Sequence, residues 1–314
     1  MQLESTSVAL LRCSSYRCSH LMERFDSLIR AIGGPFALHG RQVLLKPNLL
    51  SAKNGPLPCT EAAFILAAAR WFIDAGARVA IGDSPAFGSA TTNLTRLGIT
   101  QELAYLGVTL SDFTRTRTCL LDSGVKAKVA EDALDCDLLV NMPRIKAHAQ
   151  VRVTMAVKNC FGCLSGLQKP WWHMIHGGTS GRFADLLVQL LALLPDTLTL
   201  VDGIRAMHRT GPINGGPYPL RVVAAGVNPV AIDTAFLRLL GISDNNSPLQ
   251  VAAMHRKIFG SSSEDITYPL ASPNDLQVHD FRVPGIVNPI RFRPFSFVFS
   301  AVRRAMGTIR SRLG

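Results

Sequence analysis

The chain of 314 residues has no apolar run approaching the roughly 20 residues that a membrane-spanning helix needs. Its greasiest stretch, Leu186 to Leu194, is about half that length and carries Gln189, so an integral membrane protein is not expected. Several familiar signatures are absent: the phosphate-binding loop G-x-x-x-x-G-K-[ST], the dinucleotide fingerprint G-x-G-x-x-G, the nucleophile elbow G-x-S-x-G and the zinc-protease motif H-E-x-x-H. Classical nucleotide-fold ATPases, Rossmann dehydrogenases, serine hydrolases and zincins all lose weight. Charged residues make up only 18% against 47% hydrophobic, which excludes an intrinsically disordered chain. No internal repeat and no low-complexity linker interrupts it.

Acid is missing from one place in particular. After Asp280 no Asp or Glu occurs, while Arg282, Arg291, Arg293, Arg303, Arg304, Arg310 and Arg312 follow. These seven arginines account for most of the net charge of +11, so the body is only mildly basic. The chain therefore divides into an α/β catalytic or binding domain over 1–280 and a basic, aromatic C-terminal tail over 281–314. Within 290–314 arginines alternate with Phe292, Phe295, Phe297 and Phe299, a composition suited to a membrane surface or an acidic partner. Nucleic acid is the weaker reading, and a helix docked on the body is the plain alternative. The opening MQLESTSVALLRCSS has no basic segment leading into an apolar core, so a secretory signal is not expected. Seven cysteines, an odd number, then read as free thiols in a cytoplasmic protein, peripheral to a membrane if the tail binds one.

What is present is an alternation of strands and helices. Strands are expected at 8–12, 43–45, 78–83, 108–113, 197–203 and 221–226, and in DLLVNMPRIKAH, which is expected to run into a polar turn. Helical spacing covers 21–32, 61–72, 94–106, 183–194 and 229–240, with Gly or Pro stops. This rhythm predicts a layered α/β fold, a mostly parallel sheet flanked by helices in Rossmann-like fashion, in one lobe or two.

In such sheets ligands collect beyond the carboxyl ends of the strands. The polar residues there are Lys46 and Asn48, Asp83 and Ser84, Asn141, Arg144, Lys146 and His148, Asp202, and Asn228. One Asp after a strand is ordinarily a cap or turn residue; five strands ending in Lys, Asn, Asp or His predict a shared polar site. The densest stretch, Asn141 to His176, adds Thr154, Lys158, Asn159, Cys160, Cys163, Lys169, His173 and His176. Lys158 lies in an apolar surround, where it could hold a carboxylate or phosphate or be desolvated into a base; a solvated helix end is the alternative. Cys160, Cys163, His173 and His176 together make a zinc-type ligand set, although nine residues separate the pairs and the histidines stand only two apart. A divalent metal or an iron–sulfur cluster is thus a candidate cofactor. The loop GPINGGP (211–217) reads equally as a lid or an inert turn.

The segments VLLKPNLLS, RVAIGDSPAF, LLVNMPRIKAH, VTMAVKNCFG, LQKPWWH, TLTLVDGIRAM and GPINGGP…NPVAID occur in this order over about residues 8–241. In that combination the chain resembles the family called domain of unknown function 362. The resemblance implies a fold and a site but no reaction, because the family's activity is not established. It implies a site at Lys46, Asn48, Asp83, Lys146, His148, Thr154, Lys158, Asn159, His173, Asp202 and Asp233. Many members carry iron–sulfur ligands in a ferredoxin-like segment, which this chain lacks. The expected function is an enzyme acting on a small anionic metabolite. Lys46, Lys146 and Lys158 bind the anion, His148 or His173 transfers a proton, and Asp83 and Asp202 orient a base or hold an ion. The alternatives are a redox protein built on Cys160 and Cys163, and a non-enzymatic scaffold recruited by its tail.

Overall fold

The apolar runs assemble into one ten-stranded sheet in a computed structural model that describes residues 5–34, 36–53, 55–165, 168–176 and 181–285. The first half contains β1 (Val8–Arg12), α1 (Cys18–Ala31), β2 (Gln42–Pro47), α2 (Ala62–Asp74), β3 (Arg78–Gly82), α3 (Ala90–Arg96), α4 (Thr100–Tyr105) and β4 (Thr109–Ser111). A hairpin of β5 (Thr116–Leu120) and β6 (Lys126–Ala130) and a short α5 (Glu131–Leu134) follow. Next come β7 (Leu138–Met142), β8 (Arg144–His148), β9 (Arg152–Thr154), α6 (Ala156–Cys160), α7 (Gln168–His176) and α8 (Arg182–Leu190). The last described elements are β10 (Thr197–His208), β11 (Gly216–Tyr218), β12 (Val222–Gly226), α9 (Pro229–Leu239) and α10 (Pro248–His255).

The main path runs β1-β12-β10-β7-β2-β3-β4. From β10 to β4 every neighbouring pair is parallel, and β12 is antiparallel to both β10 and β1. The expected mostly parallel α/β sheet is therefore present. Both faces are covered, which is why the central strands read as continuous apolar runs rather than as alternating ones. Val43 and Leu45 turn toward α1 and α2, while Leu44 turns to the other face, toward α8 and α10. α9 packs with β1, β10 and β12 in a third cluster around Phe236 and Leu237.

Four local expectations need correction. The helix expected over 94–106 is two helices, because Gly98 takes a left-handed φ of +77° that ends the first. Lys46 and Pro47 lie inside β2 rather than beyond it. RIKAH is a strand, not a turn: Pro143 lacks an N–H and breaks the ladder after β7, and the chain resumes beside β10, pairing Arg144 with Asp202 and Lys146 with Met207. Asn228 caps α9 through Val230 and Ala231, and because β12 runs opposite to β10 it follows the end of β12 that points toward the N-terminal ends of the parallel strands.

β8 is locked in place by a buried charge network. Arg144, fully buried, donates to the Cys59 and Arg205 carbonyls and pairs with Glu61 at 3.2 Å and Asp202 at 3.5 Å. Asp202 also accepts from the Tyr16 hydroxyl at 2.7 Å and the Glu61 amide at 2.9 Å. Period-2 geometry then puts Lys146 and His148 on the same face of β8 as Arg144.

Candidate active site

The loop from Leu49 to Cys59 folds back on the end of β2. Thr60 donates its hydroxyl to the Met142 carbonyl and accepts from the Asn48 amide, and Leu49 bridges Cys59. This closure sets the Pro58 carbonyl 2.8 Å from Lys146 Nζ, which also donates to Asn48 Oδ1 at 2.7 Å. From there the amides run in series. Asn48 donates to Asn159 Oδ1, Asn159 to Asn141 Oδ1 and the Lys46 carbonyl, and Asn141 to the Ala156 carbonyl. The series ties the ends of β2 and β7 to α6. Asn48 and Asn159 are thereby positioning groups as well as binding candidates, and Thr154 donates to the Lys146 carbonyl at 3.2 Å.

Lys46, with no exposed surface, pairs with Asp83 at 2.9 Å. Gly162 presses on this pair: a Cβ there would collide with Asp83 Oδ1 and Lys46 Nζ. Lys169 of α7 reaches the Ser84 carbonyl and stands 5.9 Å from the Phe161 ring. Lys158 stands 4.2 Å from the same ring and 5.4 Å from that of Phe183. Its amine has no hydrogen bond and no ion pair among the described residues.

Lys46, Lys146, Lys158 and Lys169 thus share one region with Asp83 as its carboxylate. The electrostatics follow. Burial, then the charges of Lys169, Lys146 and Lys46, lowers Lys158 to about 7. Burial lowers Lys146 and Lys169 to about 8 each, against some support from Asp83. Asp233 reaches across from α9, accepting from the Ala156 amide at 2.7 Å and the Val157 amide at 3.4 Å, and so caps α6; burial raises it to about 8 despite those bonds. His148, 5% exposed, accepts the Gln150 amide at Nδ1, which leaves its ring proton on Nε2. The 211–217 loop lies against β8 beside it, with Gly211 too close to the Ala147 carbonyl for any side chain.

The sequence-derived residues fall into three groups. Lys46, Asn48, Asp83, Lys146, Thr154 and Asn159 are joined by the contacts above, Lys158 stands beside them against the Phe161 ring, and Asp233 adjoins them through α6. Asp202 is instead committed to Arg144 and Tyr16. Cys160 and Cys163 are fully buried with thiols pushed up by burial, Cys163 to about 11, and His176 is half-buried against Trp172. The His173 side chain lies outside the described residues, as does the chain beyond Gly285 that carries the tail. Among the described residues no three His, Cys, Asp or Glu side chains gather to hold a metal. The site assignment omitted Lys169, Gly162 and Asn141. Lys169 sits in an apolar, aromatic surround, LQKPWW, the same signal that singled out Lys158.

A model of the family described as Domain of unknown function (DUF362) matches residues 43–238. The chain is 34% identical over 290 residues to the thylakoid-associated protein sll1697 of Synechocystis sp., covering 91% of this chain and 90% of that protein. Among solved structures it is similar to the lactate racemase apoprotein of Thermoanaerobacterium thermosaccharolyticum (TM-score 0.43, 15% identity, 63% of this chain and 51% of that one). A protein of Thermotoga maritima matches with TM-score 0.41 and 12% identity over 63% of this chain and 53% of that one. The chain spans about half the length of these two structures.

Two outcomes are expected. Gly162→Ala forces Lys46 from Asp83 and destabilises the fold by about 1–3 kcal/mol, read by urea unfolding; an unchanged midpoint refutes the close contact. Asp233 keeps its proton in the folded chain between roughly pH 4 and 8, where the unfolded chain has released it, so its contribution to stability falls as pH rises through that window. Asp233→Asn removes this slope. The buried lysines act in the opposite sense above pH 7, so the difference between wild type and variant isolates Asp233.

Proposed function

We propose that this chain, which belongs to the DUF362 family, is an enzyme that acts on a small anionic metabolite, a carboxylate or phosphate ester, held by its buried lysines. The observation that carries this reading is the charge imbalance: Lys46, Lys146 and Lys169 stand around Asp83 at the strand ends, and Lys158 stands beside those three. Buried like charges raise one another's energy, and a bound anion relieves that repulsion. An ammonium has three N–H donors. Lys146 commits two, to Asn48 and Pro58, and Lys46 commits one, to the Pro47 carbonyl, beside its ion pair with Asp83, so each retains donors for a ligand. Lys169 adds a fourth cation beside the assigned set. His148, with its proton on Nε2, is the proton-transfer group, and Asp83 orients Lys46. Asn48, Thr154, Asn159 and Asp233 hold this frame.

Thermal unfolding tests the reading. Inorganic phosphate and diphosphate are expected to raise the melting temperature well beyond chloride at equal ionic strength, and Lys146→Met or Lys169→Met to weaken the effect about tenfold or more. No difference from chloride overturns it. His148→Gln is expected to keep the anion's stabilisation while slowing consumption of the tightest-binding metabolite about a hundredfold or more.

The reading also places the chain in the cytoplasm at a membrane surface, held by residues 290–314, which lie outside the described residues. Its support is the alternating Arg and Phe of that segment, together with a relative named as thylakoid-associated. No described helix is long and apolar enough to cross a membrane. Deleting 290–314 is expected to abolish co-sedimentation with vesicles containing phosphatidylglycerol and to leave phosphate stabilisation intact; retained sedimentation refutes the tail's role.

A further inference from the structure

We infer that Lys158 is a covalent nucleophile, forming a Schiff base with a substrate that carries an aldehyde or ketone as well as the anionic group. The inference rests on the anion-site reading above and names the substrate class that site takes.

Lys158 differs from its three neighbours in what it touches. Lys46 is tied to Asp83, Lys146 to Asn48 and Pro58, and Lys169 to the Ser84 carbonyl. Each of those ammoniums is fixed by oxygen, the setting of an electrostatic clamp. Lys158 has only the Phe161 and Phe183 rings within the described surroundings, and it alone of the four is half-buried rather than buried. An amine that forms a covalent bond must be uncommitted, reachable from solvent and shielded from strong hydration. It must also lose its proton readily, and burial, then the charges of Lys169, Lys146 and Lys46, disfavour its charged form. A carbonyl compound anchored by Lys46, Lys146 and Lys169 meets such an amine.

The step balances without a redox partner. The Nζ lone pair attacks the carbonyl carbon, and the C=O π pair moves to oxygen, which takes up a proton. That oxygen then leaves as water, the nitrogen gives up its protons to it, and a C=N bond remains. One amine and one carbonyl give one imine and one water.

Pyridoxal 5′-phosphate, an aldehyde bearing a phosphate, is a suitable probe. The full chain is incubated near pH 7 with less than one equivalent, reduced with borohydride, and mapped by peptide mass spectrometry. The expected result is a stable adduct on Lys158 in excess over exposed Lys53, Lys126, Lys128 and Lys257, suppressed by inorganic phosphate. Lys158→Arg is expected to lose the adduct. Label spread over the exposed lysines, or stabilisation without an adduct on Lys158, overturns the covalent role while leaving the anion site standing. Neither stabilisation nor adduct overturns both.

Discussion

The ion pair between Lys46 and Asp83 is the contact around which the strand ends are organised. Both groups are out of water, where an unpaired charge is costly, so each needs the other and neither tolerates displacement. Asp83 also receives the Leu49 amide, which fixes the loop after β2, and Gly162 must stay without a side chain to let α6 and its following turn close over the pair. That closure brings Lys158 and Lys169 alongside. One carboxylate, Asp83, then stands among the amines of Lys46, Lys146 and Lys169, with Lys158 beside them.

Around the pair, neutral amides carry the structural hydrogen bonds. The amides of Asn48, Asn159 and Asn141 satisfy one another in series and carry no charge into the site. A separate buried network of Arg144, Asp202, Glu61 and Tyr16 holds β8 against β10, so that Lys146 is presented from a rigid strand. Separating the two networks lets the lysines remain unneutralised while β8 stays anchored.

Much of this was legible from residue order. Apolar runs followed by Lys46, Asp83 and Lys146 marked the carboxyl ends of parallel strands, and the rule that polar groups gather there picked out residues that the fold brings close to one another. The reading was less informative where pairing is non-local. Asp202 looks identical to Asp83 in sequence, an aspartate closing an apolar strand, yet it is consumed by Arg144, a partner nearly sixty residues earlier. Asn228 looked like another strand-end ligand, but β12 runs the other way and the residue caps a helix. Lys169 carried the same signal as Lys158, a lysine among apolar and aromatic neighbours, and its part became visible only once α7 was seen to lie over Phe161 and Ser84.

The sequence by itself determined the α/β layering, because buried parallel strands demand continuous apolar runs and the helices between them demand a 3.6-residue period. It also determined that polar residues of several strands would meet. Only the tertiary structure decided which lysines are neutralised and which are not. That outcome depends on distances between groups far apart in the chain and on the water excluded when α6, α7 and the 49–59 loop close, and neither quantity is encoded in the identity of any one residue.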